Sequence, residues 1–325
     1  MMKTTLTIVA LALATSVSAQ ESPLWMRYCA ISPDGSAVAF TYKGDIYTVP
    51  TTGGTARQLT TNAAYDTHPV WSPDSKQLAF CSNREGSMDV YVMQREGGTP
   101  RRLTTNSNSE TPIAFKDNNT VLYTSSIIPS AKSIIFANRM LPQVYEVGTN
   151  GSRPHLFSAL PMMDISIRPN GDLLYHDQKG YEDPWRKHHR SPITRDIWLH
   201  RGGKYTKLTN FNGEDRTPVW AAQGDTFYYL SEEDGTFNVY VRNIDGTGKQ
   251  QLTRHATNPV RFLTAANNGT LCYGYDGEIY TLKQGEQPQK LKVNIVTDKI
   301  DTDLDRQTLF TGATEIALSP DGKEL

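Results

Sequence analysis

An internal repeat constrains this chain more than any other feature. One stretch carries Ile31-Ser32-Pro33-Asp34-Gly35, Val38-Ala39-Phe40, Asp45-Ile46-Tyr47, Gly53-Gly54 and Gln58-Leu59-Thr60. It returns as Val70-Trp71-Ser72-Pro73-Asp74, Leu78-Ala79-Phe80, Asp89-Val90-Tyr91, Gly97-Gly98 and Arg102-Leu103-Thr104, with Leu59 and Leu103 set 44 positions apart. The skeleton continues with decay. Val121-Leu122-Tyr123 and Gln143-Val144-Tyr145 mark a third unit, and Arg168-Pro169-Asn170-Gly171, Asp196-Ile197-Trp198 and Lys207-Leu208-Thr209 a fourth. Pro218-Val219-Trp220, Asn238-Val239-Tyr240 and Gln251-Leu252-Thr253 mark a fifth, and Leu271-Cys272-Tyr273 and Glu278-Ile279-Tyr280 a sixth. Proline presets φ, Asp or Asn bonds nearby backbone and Gly accepts positive φ, so S-P-D-G reads as the turn between the first two strands of a unit. Units of about 40–50 residues with four strands predict a propeller, whose blades bury their faces on one another around a central channel. The expected fold is all-β: one ring of six four-stranded antiparallel blades over 20–296. Whether the ring closes by mixing its first and last strands is left open.

Composition agrees and narrows function. Aromatic residues make up 10% and charged residues 21% of the chain, with 24 Gly and 18 Pro, a mixture suited to strands and tight turns. The formal net charge is −1, so there is no basic excess to hold nucleic acid or an anionic membrane surface. Met1-Met2-Lys3, an apolar run from Leu6 to Ala14 and a small-residue stretch ending at Ala19 describe a secretory signal peptide over 1–19. The expected location is periplasmic or extracellular, with no membrane span after leader removal. Cys29, Cys81 and Cys272 are too few for a disulfide framework and have no metal spacing; one pair is free to oxidise in an exported protein, and the sequence does not say which.

Two units carry long insertions between their second and third strands, from Ile127 to Leu141 and from Gly180 to Arg195, and such loops tend to hold function. After a polar linker over 297–312, residues 313–325 begin the pattern again with Ser319-Pro320-Asp321-Gly322. A lone half-unit leaves an unpaired edge, so the expectation is a fragment in which a second repeat array starts near residue 313.

The S-P-D-G blades, the insertion Gly180-Tyr181-Glu182-Asp183-Pro184-Trp185-Arg186-Lys187-His188-His189, the segment Thr194-Arg195-Asp196-Ile197-Trp198 and the restart at Ala313 resemble the N-terminal part of tricorn-type proteases. The blade repeat alone is shared with TolB-like proteins and prolyl oligopeptidase relatives; the insertion and the T-R-D-I-W segment are more specific. The resemblance implies a six-bladed propeller followed by a seven-bladed one, a PDZ-like module and a serine-peptidase domain, with the propellers filtering substrate or product. None of that peptidase's catalytic positions falls within this chain. The departures are Lys116-Asp117-Asn118-Asn119 in place of S-P-D-G in the third unit, and Ser75 in place of the usual Gly.

No G-x-S-x-G, H-E-x-x-H or phosphate-loop motif occurs, so no catalytic residue, metal or cofactor is expected here. Two groups are candidates for a channel or interface. The first is the loop cluster Trp185, Arg186, Lys187, His188, His189 and Arg190, whose cations suit peptide carboxylates or an acidic neighbouring surface. The second is the set of polar residues where first strands begin: Asp66, His68, Glu110, Asp164, Asp215, Arg216 and Arg261, a mixed-charge mouth if those strands line the axis. A structural role for each, satisfying strand-end backbone groups, is the competing reading. Expected partners are peptides passing the channel, downstream domains of the same chain and further copies in a homo-oligomer. The leading function is the channel and scaffold module of an exported tricorn-like serine protease; the alternatives are a TolB-like protein-binding propeller and a propeller capping an α/β-hydrolase peptidase.

Overall fold

The computed structural model describes residues 23–127, 141–180, 188, 190–296, 317 and 319–322. The contacts divide the chain after Ile295. Among the described residues of the first unit every regular element is a strand, grouped in consecutive fours. Blade one holds β1 (Arg27–Ile31), β2 (Ala37–Tyr42), β3 (Asp45–Pro50) and β4 (Gly54–Gln58), and blade two β5 (Asp66–Trp71), β6 (Gln77–Ser82), β7 (Asp89–Gln94) and β8 (Gly97–Arg102). Blade three holds β9 (Glu110–Asp117), β10 (Thr120–Ser125), β11 (Gln143–Gly148) and β12 (His155–Ser158), and blade four β13 (Met162–Ile167), β14 (Leu173–Asp177), β15 (Ile197–Arg201) and β16 (Lys204–Lys207). Blade five holds β17 (Asp215–Trp220), β18 (Thr226–Ser231), β19 (Asn238–Asn243) and β20 (Gln250–Gln251), and blade six β21 (Arg261–Ala265), β22 (Leu271–Tyr275), β23 (Glu278–Leu282) and β24 (Gln289–Lys290). The first strands β1, β5, β9, β13, β17 and β21 are neighbours in that order and β21 meets β1, so they encircle one axis. This is the six-bladed propeller predicted from the repeat.

The core explains the motif. Each second strand is buried on both faces, and its period-two alternation sends successive residues to opposite neighbours. On β6, Leu78 and Phe80 join the cluster shared with blade one, whereas Ala79 joins the cluster shared with blade three. Six such clusters, one per junction, make up the interior. The recurrent aromatic of the third strand sits directly across from one on the second: Phe40–Tyr47, Phe80–Tyr91, Tyr123–Tyr145, Tyr229–Tyr240 and Tyr273–Tyr280, with ring centroids 5.6–5.8 Å apart. Each pair contributes roughly 0.5–1 kcal/mol beyond area burial. The threonine of each L-T pair accepts a third-strand N–H: Ile46 to Thr60, Val90 to Thr104, Ile197 to Thr209 and Val239 to Thr253, all at 2.9 Å.

The two departures from the turn motif serve the blade junctions. Ser75 takes positive φ (61°), and its hydroxyl accepts the Asp34 N–H of the preceding blade at 3.0 Å. Asn118 replaces that contact at the next junction, its Oδ1 accepting the Asp74 N–H at 3.0 Å.

Each blade is made of its own four consecutive strands, and the two ends of the ring meet in the five-stranded sheet of blade one, though not at its innermost strand. Instead β25 (Val293–Ile295) pairs parallel to β4 on the outer edge of blade one, Val293 opposite Gly54. Gly53 permits this approach, because a Cβ there would lie 2.7 Å from the Lys292 carbonyl oxygen. The expected signal peptide over 1–19, residues 128–140 of the first long insertion and the expected linker over 297–312 lie outside the described residues. Of the predicted restart, Ser319–Gly322 forms the same turn as blade one: the Gly322 N–H reaches the Ser319 carbonyl at 2.9 Å and the Ser319 hydroxyl reaches Asp321 at 2.6 Å.

Candidate functional site

The innermost strands share one backbone device. Pairing with the second strand shifts between Arg27 and Ala30, Thr67 and Val70, Met163 and Ser166, Arg216 and Val219, and Arg261 and Thr264. Inside each bulge one residue is left-handed: Tyr28 (φ 52°), His68 (54°), Asp164 (48°), Thr217 (50°) and Phe262 (58°). Blade three shifts as well, but Pro112 holds the equivalent place, and its ring forbids positive φ. A bulge re-aims the side chain it carries. The side chains on these innermost strands meet across blade boundaries around the axis. Tyr28 lies 3.7 Å from His68 and 4.8 Å from Phe262 between ring centroids, and the Thr217 hydroxyl donates to Asp164 Oδ2 at 2.7 Å.

This ring has two arcs. Phe262, Tyr28 and His68 form an aromatic arc over blades six, one and two. Burial pulls the His68 imidazole down to about 4, so it is neutral at physiological pH, and burial raises the Tyr28 phenol. Asp164 and Thr217 form a polar arc over blades four and five. The Asp164 side chain is 45% exposed yet walled in by protein; desolvation raises its carboxyl, opposed by the Thr217 hydrogen bond and by the charges of Arg195 and Arg216. Behind it, His176 Nδ1 accepts the Thr217 N–H at 3.3 Å, which leaves the proton of the neutral ring on Nε2. Burial, then Arg195 and Arg216, hold His176 well below its ordinary value.

The candidates drawn from the beginnings of first strands divide. His68 and Asp164 are in the ring. Asp66, Glu110 and Asp215 sit two residues earlier in their blades and are buried, so they do not form the expected mixed-charge mouth. Asp66 is ion-paired with Arg84 at 2.6 Å, and that guanidinium lies over the Phe80 and Tyr91 rings. Burial pushes the Glu110 carboxyl up to about 7, with Asp89 beside it adding to the rise. Asp215 is pushed up to about 6 by burial, opposed by Ser231 and Thr209. Arg216 is buried against Glu214 at 2.9 Å, and Arg195 shares that carboxylate at 3.6 Å. Arg261 is half-buried one residue before Phe262 and lies close enough to lower the Tyr28 phenol. Of the insertion cluster, Trp185, Arg186, Lys187 and His189 lie outside the described residues. The His188 N–H is anchored on Glu232 Oε2 at 2.8 Å, and Arg190 is exposed.

Sequence reasoning missed Tyr28, Thr217, Phe262 and His176. Aligning the units on Ile31, Trp71, Phe115, Ile167, Trp220 and Ala265 and stepping back three positions finds the first three. Among the described residues no three His, Cys, Asp or Glu side chains converge as a metal site.

Comparison with known proteins places this geometry. The tricorn protease N-terminal beta propeller domain matches residues 23–288. Tricorn protease homolog 1 of Streptomyces coelicolor is 28% identical over 295 residues, covering 88% of this chain and 26% of that protein. The crystal structure of the tricorn protease superposes with a TM-score of 0.72 at 18% identity, over 86% of this chain and 27% of that one. TolB from Acinetobacter baumannii shares the fold with a TM-score of 0.57 at 14% identity, over 81% of this chain and 64% of that one. This chain therefore spans about a quarter of the length of the tricorn relatives it matches. A family match running from the first blade into the sixth, on six blades of matching architecture, shows that the chain belongs to the tricorn protease N-terminal β-propeller family.

Proposed function

We propose that this propeller is the channel and filter module of an exported, peptide-degrading serine protease, and that peptides pass along its axis while hydrolysis takes place elsewhere in the parent protein. The observation that carries this reading is the axial ring, where equivalent positions of five blades present Tyr28, His68, Asp164, Thr217 and Phe262 to a common centre. The backbone device is uniform and the side chains are not, which suits a passage that discriminates by side-chain chemistry. None of the catalytic positions of the family's peptidase falls within this chain, so residues 20 to about 300 alone are expected to hydrolyse nothing.

The test narrows the passage in the full-length protein. Phe262 shows that a phenylalanine fits this bulge, so Thr217→Phe adds bulk without asking for a new backbone. Turnover of long unstructured peptides should fall several-fold, while a short fluorogenic peptide able to reach the catalytic site by other routes is cleaved as before. Unchanged turnover of both would remove the channel reading and leave a protein-binding propeller. Export is tested separately, by whether the mature protein begins at Gln20.

A further inference from the structure

Five of the six blade junctions are crossed directly by the chain as it runs from a fourth strand to the next first strand. At the junction of blades six and one the chain passes instead from the fourth strand of blade six to β25, on the outer edge of blade one. That junction relies on a shared core, on the parallel clasp of β25, and on hydrogen bonds from Met26 N to the Gly277 carbonyl (3.0 Å), Ile31 N to Thr264 Oγ1 (3.0 Å) and Asn267 N to the Pro33 carbonyl (2.8 Å). Two of the three cysteines sit in this seam. Cys29 on β1 and Cys272 on β22 are 1% and 0% exposed and belong to the same core cluster. Their backbones are set by neighbours that touch: Thr264 stands directly across from Cys272 in the ladder and takes the Ile31 N–H, and Cys29 Sγ lies 3.8 Å from the Phe262 carbonyl oxygen. Cys29 lies close enough to Cys272 to raise that thiol. Cys81 is elsewhere, in blade two, its thiol 3.5 Å from the Thr67 carbonyl.

We propose that Cys29 and Cys272 are a modification site, joined by an intramolecular disulfide that locks blade six to blade one. The bond closes a loop running through almost the whole ring, and it ties β1 to β22 where the chain itself links the two blades only at their outer edge, through β25. Burial, then the hydrogen bond and charge of Cys29, raise the Cys272 thiol well above its ordinary value. A buried, protonated thiol is inert, so the bond forms while the blades are assembling and not afterwards. With oxidised glutathione as oxidant, one cysteine thiolate displaces a glutathione thiolate and forms a mixed disulfide. The second cysteine thiolate then attacks the protein sulfur of that intermediate and releases the other glutathione. Two electrons pass to the glutathione disulfide, and the two thiol protons end on the two reduced glutathione molecules.

The test refolds the full chain from urea in a glutathione redox buffer, alkylates free thiols and maps peptides without reduction. The expected product carries Cys29 linked to Cys272 with Cys81 alkylated, and melts roughly 5–10 °C above the same chain refolded with excess reductant. Cys81→Ala should keep that difference and Cys272→Ala should abolish it. Three alkylated cysteines, a bond that includes Cys81, or a Cys29–Cys272 bond with no change in melting would each overturn the proposal. No peptide substrate enters this experiment, so its outcome is independent of the channel reading.

Discussion

Asp66 and Glu110 occupy the same place in successive blades, each the first residue of an innermost strand and each buried, yet they are stabilised in opposite ways. Asp66 has a cation: Arg84 reaches it at 2.6 Å from the end of the second strand of its own blade. Glu110 faces the Asp89 carboxyl, and burial together with that neighbour favours its protonated form. Three of the six blades carry an acid at this position, Asp66, Glu110 and Asp215, where the others have Met26, Met162 and Val260, and the repeat does not dictate its charge. What surrounds the acid decides whether it is half of an ion pair or a neutral hydrogen-bond donor.

The widest separation between the two sites should come from Arg84→Ala. It strands a carboxylate with no solvent exposure, and breaking a buried pair in this way costs about 3 kcal/mol or more. Urea unfolding at pH 7 measures it. A loss below about 1 kcal/mol would mean that Asp66 manages without its cation as Glu110 does, and the contrast would collapse.

Glu110→Gln probes the other side. The folded-state value of Glu110, about 7, lies above its unfolded value, so the folded protein binds this proton more tightly. Its contribution is complete below about pH 4.5 and is lost as pH rises through about 7, roughly 2 kcal/mol over that window. Glutamine keeps the donor and cannot ionise, so the variant should be the more stable protein at pH 8 and should show a flatter profile between pH 5 and 8. An unchanged slope would mean that Glu110 is ionised throughout.

The architecture was legible because the repeated residues have repeated structural tasks. Tyr47 and Tyr91 recur because each faces an aromatic on the second strand, and Thr60 and Thr104 recur because each satisfies a third-strand N–H. The axial ring was not legible in the same way. What recurs there is a left-handed bulge, and Tyr28, Asp164, Thr217 and Phe262 have no side-chain chemistry in common. The acids at the beginnings of the first strands drew attention by their charge, but all three are buried, Asp66 against Arg84 of its own blade and Glu110 with its protonated form favoured. The clasp is three residues of pairing, Val293-Asn294-Ile295, with no motif to announce it.

Asp66 and Glu110 can also be told apart through the threonines of their neighbouring L-T pairs. Thr60→Val and Thr104→Val each remove the hydroxyl that accepts a buried N–H, from Ile46 and from Val90, and each should cost about 1–1.5 kcal/mol in urea unfolding. Thr104 also lies against Glu110 and favours its ionised form, whereas the Thr60 hydroxyl donates to Asp45 Oδ1 at 3.3 Å. Thr104→Val should therefore raise the Glu110 value further and shift the loss of stability to higher pH, whereas Thr60→Val should leave the pH profile in place. Equal pH effects at the two sites would show that the hydroxyl does not touch the titration.

The smallest effect belongs to a pair that has the geometry of Asp66–Arg84 without the burial. Arg57 and Glu96 meet at 2.7 Å, almost the distance of the buried bridge, but their side chains are 60% and 74% exposed. Water solvates both ions nearly as well apart as together, and two long side chains lose rotamer freedom to hold one arrangement. Arg57→Ala should change stability by less than about 0.5 kcal/mol, and moderate salt should erase even that. The guanidinium of Arg57 also reaches the Glu96 carbonyl at 2.7 Å, so Glu96→Ala, which keeps that contact, should be the milder of the two. A loss at this site comparable to that of Arg84→Ala would mean that distance, and not desolvation, sets the strength of these bridges, and would undercut the reading of Asp66 and Glu110 as a contrast of environments.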